Sequence, residues 1–179
     1  MKIAIDTSSL ISLVRYYLPF DKNGTLDKFI RHKIESKDIV VLDKVYEECK
    51  YTSKGIVVTT LKYLTDKKCH VNTTDLLPEK KFFNQLENQF INGSIKAKLT
   101  GEEFEVRKSA FLDSADCKLL LFGLKHQGEG IIIVSEETDT GNDNKSFKKI
   151  PAICNILSLE CITLPLFLKR HPEIDIEFK

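Results

Sequence analysis

The sequence predicts a three-layer α/β/α sandwich around a mainly parallel sheet of four to five strands, and three observations carry that prediction. Ile39-Val40-Val41-Leu42 and Ile131-Ile132-Ile133-Val134 are apolar at every position, as strands buried between two helical layers must be. These runs alternate with stretches whose apolar residues recur at helical spacing. The chain also opens as strand, tight turn and helix. Its 179 residues suit one domain, which on folding can remove roughly 70% of its extended-chain surface from water without metal or disulfide staples.

Taken in order, Lys2 to Asp6 is a short, mostly apolar strand. A helix is expected from Ser8 or Ser9, with Leu10, Val14 and Leu18 on one face and the hydroxyls of Thr7, Ser8 and Ser9 as cap candidates. Pro19 ends that helix and Asn23-Gly24 turns the chain. Thr25 can cap a second helix whose apolar face is Leu26, Phe29, Ile30 and Ile34. Asp43 is then expected to cap a helix carrying Val45, Tyr46, Glu47, Glu48 and Cys49. Cys69 to Asn72 reads as a short edge strand. The stretch from about 76 to 108 reads as a helical elaboration, with a capping box at Thr100-Gly101-Glu102-Glu103. An apolar helix is expected from Ser114 or Ala115 to Lys125, closed by Gly128 and Gly130. Ile131 to Val134 reads as the most central strand, and Ser135 to Phe147 as a polar surface loop. Pro151 fits the first turn of a helix through Leu157, and Glu160 to Thr163 reads as the last strand.

Composition narrows function. The chain carries 27 Lys+Arg against 26 Asp+Glu, so bulk positive charge cannot be how it meets nucleic acid, and local patches would have to serve. An early carboxylate at Asp6 interrupts the N-terminal apolar run, and no stretch nears the ~18 apolar residues of a membrane span. The expectation is a cytoplasmic protein. Cys49, Cys69, Cys117, Cys154 and Cys161 contain no C-x-x-C pair and are odd in number, which fits buried thiols in a reducing compartment. His32, His70, His126 and His171 are scattered, with no ligand-type spacing.

In a parallel α/β sheet, ligands gather at the carboxyl ends of the strands. Asp6 closes the first strand, Glu137 lies just beyond Val134, Glu48 sits early in the helix after Leu42, and Asp116 opens the helix that feeds the Ile131 strand. Four carboxylates from distant segments can therefore converge. Left unpaired, they would repel one another, whereas a hard divalent cation makes them an oxygen-ligand site of the kind used for phosphodiester hydrolysis. Glu47 competes with Glu48, and Glu136 and Asp139 compete with Glu137. Valine at 45 faces the core, and 48 follows it on the same helical face. Asp113, one turn before Asp116, is a candidate for orienting the ligands.

These residues resemble a PIN-domain protein, the nuclease fold of VapC-type toxins, and in particular the PIN-like prokaryotic branches of that family. The matching motifs are Ile3-Ala4-Ile5-Asp6-Thr7-Ser8-Ser9-Leu10, Val45-Tyr46-Glu47-Glu48-Cys49, Ser114-Ala115-Asp116 and Ile132-Ile133-Val134-Ser135-Glu136-Glu137. Ile150-Pro151-Ala152-Ile153-Cys154 and Leu159-Glu160-Cys161-Ile162 are similar to the closing helix and strand. The resemblance implies a metal-dependent endoribonuclease in which Asp6, Glu48, Asp116 and Glu137 hold Mg²⁺ or Mn²⁺, with Ser8 and Ser135 orienting the carboxylates. It also implies RNA as partner, and an antitoxin protein and a second copy of the chain as further expected partners. The fourth acid is Glu where the family usually has Asp, and the segment 76–108 makes the chain longer than a minimal toxin.

The alternative expectation is a non-catalytic PIN-like module that binds RNA or a protein. A phosphate-accepting receiver domain would need a D-x-D signature, which Asp6-Thr7-Ser8 lacks. With the four acids set aside, the remainder carries 27 basic against 22 acidic groups, a net +5. Candidate basic patches are Lys67-Lys68, Lys80-Lys81, Lys96 with Lys98, and Lys148-Lys149.

Overall fold

The computed structural model describes residues 2–138 and 145–174. Five strands, β1 (Ile3–Ile5), β2 (Ile39–Leu42), β3 (His70–Val71), β4 (Ile132–Val134) and β5 (Glu160–Ile162), form one sheet in the order β3-β2-β1-β4-β5. Every pairing is parallel, with Ile3 beside both Ile39 and Ile132, and Ile133 beside Cys161. Helices cover both faces, as the sandwich prediction requires. No helix among the described residues is long and apolar enough to cross a membrane.

The central strand is β1, not β4 as its all-apolar run suggested. Both strands are fully buried, so hydrophobicity alone could not rank them. The edge strand expected at 69–72 is present as β3.

The first helix, α1 (Thr7–Ser12), starts earlier than expected because Asp6 itself is its cap, accepting hydrogen bonds from the amides of Thr7 and Ser8. The chain continues as a π turn over Leu13–Tyr17 and a 3₁₀ turn over Leu18–Phe20, where Pro19 stops the helical path. The second helix, α2 (Thr25–Glu35), is capped by Gly24, whose φ of 64° suits glycine, rather than by Thr25. The Asp21 carboxylate instead receives the Thr25 amide at 2.8 Å and the Asp27 amide at 2.9 Å. Asp43 begins α3 (Asp43–Tyr51) rather than preceding it, and its carboxylate takes the Thr73 hydroxyl at 2.6 Å, tying the end of β2 to the loop after β3.

After α3 the backbone passes through Ser53, Lys54 and Gly55, all at positive φ, into α4 (Ile56–Thr60). At Gly55 an added Cβ would lie 3.0 Å from the Lys50 carbonyl oxygen, so the turn needs glycine for space as well as for φ. The elaboration at 76–108 is less regular than one helical run: α5 (Lys80–Gln85) continues as a π turn to Phe90, followed by α6 (Gly93–Lys96) and α7 (Gly101–Leu112). The Thr100–Glu103 capping box forms as expected.

Helix α8 (Ala115–Lys125), capped by the Ser114 hydroxyl, packs on β1, β2 and β4. Gly123 lets it approach closely, because a Cβ there would meet the Leu159 and Ile133 methyls at 3.0 and 3.2 Å. The last helices are α9 (Ile150–Leu157), with Pro151 in its first turn, and α10 (Leu164–Lys169), which sequence periodicity did not predict. Part of the loop expected at 135–147 lies outside the described residues, and Phe147 forms an isolated antiparallel bridge with Ile91.

Candidate functional site

The parallel sheet directs the ends of β1 and β4 to one edge. The Asp6 amide donates to the Val134 carbonyl at 2.9 Å, and the Ser135 amide donates to the Ile162 carbonyl at 3.0 Å. Asp6 and Ser135 are therefore neighbours at the carboxyl edge although they are far apart in sequence.

Asp6 is 3% exposed. Its Oδ1 accepts the Thr7 amide at 2.7 Å, and its Oδ2 accepts the Ser8 hydroxyl at 2.5 Å and the Ser135 hydroxyl at 3.0 Å. Each hydroxyl also accepts an amide from the loop after β4: Glu136 N on Ser8 Oγ at 3.0 Å, and Glu137 N on Ser135 Oγ at 3.2 Å. Two serines thus fix both the carboxylate and the backbone that brings in Glu137. Burial still raises the Asp6 pKa above the ordinary carboxylate range, helped by the Glu137 charge and against the lowering effect of these donors.

Asp116 sits in the first turn of α8, and no hydrogen-bond donor among the described residues holds its carboxylate. Desolvation pushes its pKa up to about 7, reinforced by the charges of Asp6, Glu137 and Glu48 and only partly offset by Lys145. The four expected acids therefore act on one another electrostatically.

Glu48 and Glu47 separate cleanly. Glu48, an exposed residue, accepts the Thr7 hydroxyl at 2.7 Å and so is tied to the end of β1, while Glu47 pairs with Lys50 at 2.6 Å. After β4, Glu137 has a side chain 17% exposed, accepts the Ile150 amide at 3.0 Å and lies 3.4 Å from Lys145 Nζ. Glu136 instead accepts the Leu164 amide at 2.6 Å, occupied at the start of α10. Asp139 lies outside the described residues.

Asp113 does not join this group: its exposed carboxylate pairs with Lys44 at 2.6 Å, which lowers its pKa. Asp113 closes α7, and the turn into α8 sends it away from Asp116, a divergence that sequence spacing does not reveal. Residues missed from sequence are Thr7 as the donor to Glu48, Lys145 as the nearby cation, and the α9 N-terminus as the partner of Glu137. The three hydroxyls after Asp6 were the signal for Thr7; Lys145 had no signal, lying in a loop that looked solvated throughout.

The acids are close enough to perturb one another, yet among the described residues no three His, Cys, Asp or Glu side chains stand at the spacing of a single metal ion. Thr7 holds Glu48 and the Ile150 amide holds Glu137, and side chains of the group would have to move for three of the acids to share one ion. In donor chemistry the set suits a hard divalent cation, being all carboxylate and deficient in positive charge.

A cavity of about 360 Å³ opens beside this group, with Asp116 in its wall. A larger one, about 500 Å³ between Leu76, Phe82, Leu121 and Leu157, contains none of the four acids.

No curated protein and no solved structure matches the chain. One family model does match, over residues 3–173, nearly the whole chain and all five strands, and the chain belongs to that family, a domain of unknown function (DUF4411).

Proposed function

We propose that the chain is a ribonuclease that hydrolyses phosphodiester bonds with Mg²⁺ or Mn²⁺ held by Asp6, Glu48, Asp116 and Glu137. The observation that carries this reading is the state of Asp116: partly buried, without a donor, and under the charge of three other acids brought from distant segments. A protein gains nothing in stability from that arrangement unless something positive enters it. When bound, such a cation supplies Lewis acidity, activating water as a nucleophile and offsetting charge on phosphate oxygens.

The chain's own residues prepare the site. Ser8 and Ser135 fix the direction of the Asp6 carboxylate, Thr7 limits the swing of Glu48, and the α9 N-terminus steadies Glu137. The ordered set of motifs similar to PIN-domain nucleases supports the same reading and makes RNA the proposed substrate. An antitoxin protein and a second copy of the chain are proposed partners on the resemblance alone. A cytoplasmic location fits an RNA substrate and the free cysteines, of which Cys49 and Cys117 are buried thiols pushed up to about 12.

The test is Asp116→Asn, a near-isosteric change. It should abolish cleavage of single-stranded RNA in Mn²⁺, and unchanged cleavage would rule the site out. A second reading, a non-catalytic PIN-like module that binds RNA or a protein, draws on the separation of the acids by Thr7 and Ile150. Calorimetry distinguishes the two. Mn²⁺ at about 100 times its Kd should stabilise a working site by ~2.7 kcal/mol, a rise of roughly 5–10 °C in Tm for a chain of this size, and a non-binding module should not respond.

A further inference from the structure

We infer that the cavity beside Asp116 is a subsite for the phosphodiester backbone of a single-stranded nucleic acid. The inference rests on the proposed nuclease reading and names how its substrate is held. Four cations line the cavity, Arg107 from α7 and Lys145, Lys148 and Lys149 from the segment before α9. These two segments are far apart in sequence and are joined by Arg107 Nη1, which donates to the Ser146 hydroxyl at 2.6 Å. The basic wall is therefore held in place by contacts within the fold. Lys145 carries the positive charge on toward the acids, 3.4 Å from Glu137 and acting on Asp116. Neither Arg107 nor Lys148 enters an ion pair among the described residues, so positive charge is left in the cavity to attract an anion, in a chain whose net charge is only +1.

The ligand class follows from the floor. Phe111 and Phe147 stack on each other at 4.5 Å with 28° between ring planes, and each is only 8% exposed. Their faces are spent on each other, so the subsite lacks the open aromatic platform on which bases stack. Beside the rings stand Ala110, Ser114, Ser146 and the cationic side chains, whose charged ends suit phosphate oxygens and are indifferent to base identity. The α7 segment that supplies Arg107 belongs to the stretch that lengthens this chain, which gives that elaboration a role in holding substrate.

Fluorescence anisotropy of short, labelled single-stranded RNA and DNA of matched sequence, in excess EDTA, reads this subsite without cleavage. Arg107→Gln/Lys148→Gln should weaken binding about ten- to fiftyfold at ~50 mM salt and reduce the slope of log K against log salt by roughly 1.4. Runs of U and of A should bind alike. Equal losses with RNA and DNA, or a loss with RNA alone, both support the subsite and identify its source of phosphate. Lys145→Gln, at a side chain 60% exposed, is a second variant that cannot disturb the core and should weaken binding in the same direction. Lys67→Gln/Lys68→Gln removes two charges just before β3, at the opposite edge of the sheet, and should leave binding unchanged. A loss below twofold in the first variant, an equal loss in this control, or binding that follows base identity would overturn the proposal. Because EDTA binding does not depend on a metal, an Asp116→Asn enzyme that still cleaves would refute the nuclease site and leave this result standing.

Discussion

Ser135 Oγ donates to Asp6 Oδ2 at 3.0 Å across 129 residues of sequence, and Ser8 Oγ, 3.4 Å from Ser135 Oγ, donates to the same oxygen at 2.5 Å. Hydrogen bonds to a charged, buried group contribute more than those between neutral partners, about 1.5–3 kcal/mol each. Ser135→Ala should therefore lower unfolding free energy by roughly 1–3 kcal/mol in urea titrations, with Ser8→Ala similar. The two losses should be non-additive, because both hydroxyls serve one oxygen. If Asp6 acts on substrate through its orientation, each variant should also lose about ten- to a hundredfold in cleavage rate. A folded Ser135→Ala protein with full stability would mean that the hydroxyl does not hold the carboxylate.

Asp116 gives the protein a pH dependence opposite in sign to that of an ordinary salt-bridged acid. Its pKa is about 7 in the folded chain, whereas an unperturbed aspartate titrates near ~3.9. Between those values the folded state holds a proton that the unfolded chain has released, so stability falls as pH rises from about 4 to 7 and levels off above. Asp6, also raised, acts in the same direction. Chemical denaturation of metal-free protein across that range should show the decline, and Asp116→Asn should flatten part of it and raise Tm at pH 8. A metal-free wild-type protein more stable at pH 8 than at pH 5 would contradict this.

His70 works in the other direction and at the other end of the sheet. Its ring stacks on Tyr46 at 4.0 Å, and its Nε2 lies 2.6 Å from the Leu64 carbonyl oxygen. Burial depresses its pKa below 6.5. Lys37 and Lys50 act in the same sense, while the Leu64 hydrogen bond and Asp43 oppose them. The unfolded chain thus takes up a proton at a pH where the folded chain does not, and stability is lost as pH falls through 6.5. An NMR titration should place the His70 midpoint below 6.5.

The fold was legible wherever a single physical requirement acted alone. Runs such as Ile39 to Leu42 can only be buried on both faces, and Thr100 with Glu103 can satisfy each other's amides without help from the rest of the chain. Where two requirements met, local pattern was not enough. Asp6 is both the cap of α1 and the buried acid of the site, whereas the run Thr7-Ser8-Ser9 offers hydroxyl caps of its own and points to a later helix start. The choice of Glu48 over Glu47 could be read from the side of α3 that carries Val45. Asp113 could not be placed, because its direction is set by the α7–α8 turn and by Lys44, a residue far away in sequence. Half of the basic wall was legible as the pair Lys148-Lys149, but its union with Arg107 was not, since nothing local shows that a helix before Asp116 and a loop after Glu137 face each other.

Ser9, three residues after Asp6 in α1, is fully buried, and its hydroxyl has no partner among the described residues. An unsatisfied buried hydroxyl costs stability, and alanine is also the better helix former. Ser9→Ala should therefore raise unfolding free energy by about 1 kcal/mol, a gain of roughly 2–4 °C in Tm. The change leaves the Asp6 cap intact, because the cap uses the amides of Thr7 and Ser8. Calorimetry of the metal-free protein settles it: a loss of stability would show that the Ser9 hydroxyl is engaged in solution, most simply by a buried water beside the acids.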